Sequence, residues 1–220
     1  MKKILIVAAH PDDEVLGCGG VIAKQILFGA DIQVVFMADG ISSRGFSEES
    51  LVARKESCIR ALKILGVSKE PIFFDIKDNQ LDAYPLLELV QKIEKIYTDF
   101  LPDVVYTHNN HDLNIDHQIT FKAVMTAARP ISFPSIKEIY SFEVLSSSEW
   151  SLTRRFNPNL YVDITNFLPQ KIEALECYDS ELGILPNPRS ISGVENLAKV
   201  RGSEVGVAAA ETFEIIRLVQ

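Results

Sequence analysis

A surplus of basic residues, paired cysteines and long apolar stretches are all missing from this sequence, and each absence removes a class of function. Lys and Arg number 22 against 30 Asp and Glu, for a formal net charge of -8. Affinity for nucleic acid rests on neutralising phosphates with basic side chains, so no nucleic-acid partner is expected, and an anionic membrane surface finds nothing to bind. The three cysteines, Cys18, Cys58 and Cys177, are far apart and outside any CxxC pair. They imply neither a disulfide framework nor a thiolate zinc site, and they suit a reducing, cytoplasmic compartment. No run approaches the roughly 18 apolar residues of a membrane helix, so membrane insertion is not expected. Met1-Lys2-Lys3 and the apolar Ile4 to Ala9 imitate a signal peptide, but the run is short and the polar His10-Pro11-Asp12-Asp13-Glu14 follows at once. Internal repeats, low-complexity segments and linkers are absent too.

What is present is a chain of 220 residues, enough for one sizeable core, and we expect a single domain over 1–220. Ile4 to Ala9, Ile32 to Met37, Pro71 to Asp75 and Asp103 to Thr107 read as strands, and Glu138 to Phe142, Leu160 to Val162 and Glu211 to Val219 follow them. Helical patterns lie between, at about 16–28, 47–65, 84–100, 119–128, 166–180 and 193–206. Asp39 to Phe46 reads as a loop, and Ser47-Glu48-Glu49-Ser50 makes an imperfect capping box. Strands alternating with helices predict a Rossmann-like α/β fold with a mostly parallel sheet flanked by helices. The Pro- and Ser-rich part from Pro130 to Ser151 reads as an insertion or lid. Its apolar Ile131-Ser132-Phe133-Pro134 and Trp150 are candidates for a lid, for a subunit contact of a homo-oligomer, or for core.

Ligands of open α/β sheets bind beyond the carboxyl ends of the strands. His10-Pro11-Asp12-Asp13-Glu14 occupies that place after the first strand. An imidazole and a carboxylate suit zinc, so His10 and Asp13 are candidate ligands. Asp12, pointing elsewhere than its neighbour, is free to be the general base for a metal-activated water. The bland alternative is helix capping by Asp12 or Asp13, which leaves His10 unexplained. Gly17, Gly19 and Gly20 invite comparison with a phosphate cradle, but Ile22 stands where the dinucleotide pattern needs its last glycine. More simply, they let the first helix approach the sheet closely.

The other three histidines follow the fourth strand, in His108-Asn109-Asn110-His111-Asp112-Leu113-Asn114-Ile115-Asp116-His117. A catalytic zinc site takes three protein ligands and a water, so one histidine here closes the set. His117 is the best candidate, since it opens a helical stretch and has Asp116 beside it to orient an imidazole. The Asn114 amide is a candidate donor to a developing oxyanion. His108 and His111 stand evenly between a site role and ordinary loop residues.

Ala9-His10-Pro11-Asp12-Asp13-Glu14 with Gly17 and Gly19-Gly20 resembles the opening motif of the LmbE/PIG-L family of zinc-dependent N-deacetylases. Asn114-Ile115-Asp116-His117 resembles that family's second motif. Ala53-Arg54-Lys55-Glu56, Arg201-Gly202-Ser203-Glu204 and Ala210-Glu211-Thr212-Phe213 extend the likeness over most of the chain. The resemblance implies an LmbE-like fold and Zn2+ held by His10, Asp13 and His117, with Asp12 as base. It also implies hydrolysis of an acetamido group, releasing acetate and a free amine from an N-acetylated sugar or sugar conjugate such as an N-acetylglucosamine derivative. The sequence departs from the family at Asn114, where many members have a histidine, and asparagine cannot deliver a proton. Either Asp12 serves as base and then acid, or His108 or His111 takes over. Arg44, Arg54, Arg189 and Arg201 are candidates to hold a phosphate on the substrate, Arg54 first among them, and Glu204 is a candidate for sugar hydroxyls. Two other readings compete: an amidase of a thiol-cofactor precursor, and a metal-free nucleotide-binding module.

Overall fold

The computed structural model describes every residue except Phe46, and of Arg44 the backbone only. The strands are β1 (Lys3–Ala8), β2 (Asp31–Ala38), β3 (Ile72–Ile76), β4 (Val104–His108), β5 (Glu138–Phe142), β6 (Leu160–Asp163) and β7 (Ala210–Leu218). The helices are α1 (Asp13–Leu27), α2 (Glu48–Ile64), α3 (Leu86–Phe100), α4 (Ile115–Ala127), α5 (Leu168–Glu176) and α6 (Ile191–Ser203). The strands form one sheet in the order β3-β2-β1-β4-β5-β7-β6. Neighbours pair in parallel from β3 to β5, and β7 runs antiparallel to both β5 and β6. This is the Rossmann-like α/β arrangement expected from the sequence.

Why β1 is apolar from Ile4 to Ala8 follows from its two covers. Ile4, Ile6 and Ala8 belong to a core shared with α1, α2, α5 and α6, whereas Leu5 and Val7 belong to a second core with α3 and α4. A strand buried on both faces loses the alternation that marks a half-exposed one. None of the described helices is long and apolar enough to cross a membrane.

Four features differ from expectation. Helices α1 and α4 begin at Asp13 and Ile115, earlier than their apolar periodicity suggests, because polar site residues occupy their first turns. At α2 the reciprocal cap is made by Ser50, which does what a glutamate usually does: Ser47 Oγ accepts from Ser50 N at 3.1 Å and Ser50 Oγ accepts from Ser47 N at 3.2 Å. The segment from Pro130 to Ser151 is not an insertion, since it contains β5, which lies between β4 and β7 in the sheet. Its Pro and Ser residues flank the strand, and its end forms a turn at the site described below.

Helix α1 is bent at Cys18, whose φ of -148° is not helical. The bend exposes backbone groups inside the protein, and a buried ion pair satisfies them. Glu211 accepts from Gly20 N at 2.8 Å and Val21 N at 2.7 Å, and Lys171 donates to Leu16 O at 2.8 Å and to Glu211 at 2.6 Å. Gly17 packs so closely on β5 that a Cβ there would lie 2.3 Å from the Phe142 ring. At Gly20 a Cβ would meet Ile164 at 2.8 Å. These glycines serve close packing, as expected, and are not open to a phosphate.

Candidate metal centre

From β1 the chain winds towards β3, and from β4 it winds the other way, so the topological switch point lies between β1 and β4. The two histidine-bearing segments follow these two strands. After β1 the chain turns sharply: Asp13 N donates to His10 O at 3.2 Å, and His10 N donates to Asp13 Oδ2 at 2.9 Å. Asp12 sits at φ 129°, a conformation that costs a non-glycine residue energy and recurs at functional sites. No side-chain cap is made by Asp12, although it occupies the cap position of α1. Capping by Asp12 therefore fails, which leaves its carboxylate for other work, while Asp13 spends one oxygen on His10 N across the turn.

After β4, Asn114 caps α4. Its Oδ1 accepts from Asp116 N at 2.8 Å and from His117 N at 3.4 Å. This puts His117 on the third residue of the helix, facing back to the β1 turn. His117 Nε2 lies 3.3 Å from Asp13 Oδ2, and His10 Nδ1 lies 3.3 Å from the same oxygen. Donors around a tetrahedral zinc at about 2.0–2.1 Å are themselves roughly 3.3 Å apart. Ligand atoms of His10, Asp13 and His117 all fall within 4.8 Å of one another. Asp13 Oδ1 and both ring nitrogens of His117 are buried without an aligned hydrogen-bond partner. A divalent cation fits this donor set, and it gives the orphaned atoms a purpose.

Carboxylates behind the histidines hold them. Asp112 Oδ1 lies 3.1 Å from His117 Nδ1, and Asp112 accepts in turn from Ser147, from Ser148 at 2.6 Å and from Asn114 N at 2.9 Å. Asp116 meets His10, with Oδ2 3.1 Å from Nε2, and accepts from Asn79 N at 2.7 Å and Leu81 N at 3.0 Å. Asp78 Oδ1 also lies 3.1 Å from His10 Nε2. His108 stacks on His117 with ring centroids 3.9 Å apart, and its Nε2 accepts from Ala9 N at 2.7 Å. That nitrogen is occupied, so His108 is a neutral structural ring.

Beside the cluster opens a cavity of about 720 Å³. His10, Asp12 and Asn114 line its floor side, and Arg54, Trp150 and Arg189 are among its walls. Arg189 Nη1 donates to Asp12 Oδ2 at 2.9 Å. Arg54 donates to Pro11 O at 2.9 Å and pairs with Glu181. Asp12 Oδ1 has no partner.

The PIG-L family pattern, described as GlcNAc-PI de-N-acetylase, matches residues 5–128. An Escherichia coli K12 protein named uncharacterized deacetylase YaiS is 30% identical over 185 residues, covering 81% of this chain and 91% of its own. The chain belongs to the PIG-L family. A diacetylchitobiose deacetylase of Thermococcus kodakarensis is 26% identical over 193 residues, 82% of this chain and 70% of that protein. Among solved structures, the 4-carboxy-2-hydroxymuconate hydratase GalB of Pseudomonas putida KT2440 superposes with a TM-score of 0.81 at 23% identity. That match covers 100% of this chain and 99% of the hydratase, so the PIG-L fold by itself does not name a reaction.

Charge in this PIG-L site follows from burial and pairing. Burial would raise the Asp13 carboxyl, but the charge of His117 and the hydrogen bonds from His10 and His117 hold it well below the usual carboxylate range. Burial disfavours an imidazolium at His117, yet Asp13 and Asp112 push it up to about 9. At His10, too, burial is outweighed, by Asp116, Asp13 and Asp78, and the ring is held well above its usual value. Burial lifts Asp12 to about 6 against the opposing charge of Arg189. Glu14, which accepts from Tyr178 and from Asp12 N, is lifted by burial to about 8 and stays neutral under the turn.

Of the residues expected from sequence, His10, Asp12, Asp13, Asn114, Asp116 and His117 are all brought together, and Arg54 and Arg189 join them at the cavity. Asp116 faces His10 rather than its neighbour His117, because consecutive helical residues diverge by about 100°. Glu204 does not line the cavity; it is exposed at the end of α6, bonded to Tyr161 at 2.8 Å and Arg201 at 3.2 Å. Arg201 is committed to Glu143 through two bonds of 2.8 Å. The side chain of Arg44 lies outside the described residues. Sequence reasoning missed Asp112, Asp78, Glu181 and the Ser147-Ser148 turn. Only Asp112 carried a signal, as an acid in the second histidine segment.

Proposed function

We propose that this protein is a zinc-dependent deacetylase that hydrolyses the N-acetyl amide of an amino-sugar-type substrate, releasing acetate and the free amine. The observation that carries this reading is the convergence of His10, Asp13 and His117 on one point, with a partnerless oxygen of Asp12 beside them at a cavity. His10, Asp13 and His117 would hold the ion. When bound there, zinc supplies Lewis acidity and brings the pKa of water towards neutrality.

The chain's own residues do the rest. Asp12 Oδ1 takes a proton from the attacking water and returns it to the leaving nitrogen. Asp112 and Asp116 fix the two imidazoles. Trp150, half exposed on the cavity wall, offers a face for a sugar ring. Arg54 and Arg189 are already neutralised by Asp12 and Glu181, so the described walls favour an uncharged sugar over a phosphorylated one. The family and the deacetylase names of two relatives support the reaction class, and the chitobiose deacetylase supports the sugar. Strands from Lys3 to Leu218 share one sheet, which supports a single domain over 1–220.

Replacing Asp12 by Ala tests the assignment. Turnover should fall by about two to four orders of magnitude with zinc still bound, since general acid–base catalysis contributes roughly 10²–10⁴. Loss of zinc together with activity would contradict Asp12 as base. The hydratase likeness supplies a second reading, in which water adds to a carbon–carbon double bond. Acetate release from N,N'-diacetylchitobiose, set against hydration of a muconate, separates the two. The nucleotide-binding reading loses its basis, because Gly17 and Gly20 are packed against Phe142 and Ile164.

A further inference from the structure

Amide hydrolysis places a negative charge on the carbonyl oxygen, and a preorganised donor aimed at that charge is among the largest contributions to catalysis. The described residues offer few such donors. His108 is engaged by Ala9 N at its Nε2 and is fully buried. His111 is not among the residues lining the cavity. Arg54 spends one nitrogen on Pro11 O and the other on Glu181. Asn114 has an amide N–H₂ to give, but it is uncharged.

Arg189 is different. Its Nε donates to Leu145 O at 3.2 Å and to Ser146 Oγ at 2.6 Å, and its Nη1 donates to Asp12 Oδ2. A planar guanidinium held at two of its nitrogens has its third fixed in direction. That third nitrogen, Nη2, makes no hydrogen bond among the described residues and stands 4.0 Å from Asp13 Oδ1, a buried oxygen without a partner. It therefore stands beside the candidate ligand set, on a residue that also lines the cavity. Guanidinium keeps its charge at any working pH and holds N–H groups in a rigid fork.

We propose that Arg189 is a catalytic residue: Nη2 receives the amide oxygen as charge develops on it, while Nη1 keeps Asp12 Oδ2 in place and leaves Oδ1 for the proton. This rests on the deacetylase reading above. The step balances with water alone. Asp12 Oδ1 takes one proton as the water oxygen bonds to the carbonyl carbon, and the carbonyl π pair moves onto the oxygen held by Nη2. The pair then returns, the C–N bond breaks, and the nitrogen takes the proton from Asp12.

The test compares zinc-loaded wild type, Arg189→Lys and Arg189→Ala. Two probes are used: N,N'-diacetylchitobiose for kinetics, and the methylphosphonamide of glucosamine, whose tetrahedral anionic phosphorus imitates the charged intermediate, for calorimetry. With Arg189→Ala, phosphonamide affinity and kcat should both fall by about 10²–10³. KM should stay within about threefold, as expected for an interaction made in the transition state. Arg189→Lys should recover part of both losses, and added guanidinium should restore part of the activity of Arg189→Ala. Unchanged phosphonamide affinity in Arg189→Ala, a loss confined to KM, or loss of zinc from the variant would each overturn the proposal. If wild type neither binds the phosphonamide nor releases acetate, the deacetylase reading itself fails, a result distinct from an unaffected Arg189 variant.

Discussion

At His117 two carboxylates act on one imidazole. Asp13 lies on the Nε2 side and Asp112 on the Nδ1 side, and together they push the ring up to about 9 despite its burial. Without a metal the His117 ring therefore favours the imidazolium at neutral pH, and Asp116, Asp13 and Asp78 raise His10 against its burial in the same way. A metal ligand must be deprotonated, so zinc has to displace these protons. The sign follows: below pH 9 protons compete, and apparent affinity rises with pH by about tenfold per unit for each proton displaced. Competition with a chelator from pH 6 to about pH 9 measures it, and a flat profile would contradict the assignment of His117 as ligand. His10, Asp12 and Asp13 were legible in the sequence because a tight turn after a buried strand forces neighbours in sequence to be neighbours in space. The partners of the histidines were not legible. Asp112 faces His117 with its carboxylate held by the Ser147-Ser148 turn, thirty-five residues on. Arg189 meets Asp12 across 177 positions, a distance no local pattern records.

Helix α1 carries the motif, and its fit against β5 sets where the motif sits. Gly17 leaves no room for a methyl group beneath Phe142. Gly17→Ala should destabilise the protein by about 1–3 kcal/mol, the usual cost of overpacking, as read from urea denaturation midpoints. Phe142→Leu in that background should recover part of the loss. An unchanged midpoint in Gly17→Ala would show that the ring yields at no cost and that the glycine is not needed for packing. Strands with two apolar covers, such as β1 and β2, declared themselves in the sequence. The starts of α1 and α4 did not, because residues such as Asp13 and His117 in their first turns are chosen for chemistry and break the apolar spacing. Strand β5 was visible as a strand, but proline and serine around it obscured its place inside the sheet.

Over the whole molecule, the switch point between β1 and β4 makes the site, and the rest of the chain closes it. The loop after β3 brings Asp78, the turn after β5 brings Ser147, and the segment before α6 brings Arg189. The acidic balance of the sequence is reproduced at the cavity, where each described arginine already faces a carboxylate. An uncharged, N-acylated sugar suits such walls, and one fold shared with a hydratase means that the metal and the product have to decide the reaction. The most direct measurement is metal content together with acetate release from N,N'-diacetylchitobiose, for wild type and His117→Ala purified without added metal. About one zinc per chain with acetate released, both lost or strongly reduced in the variant, is the predicted result. A wild type that holds no metal, recovers none from added zinc and releases no acetate would contradict the account.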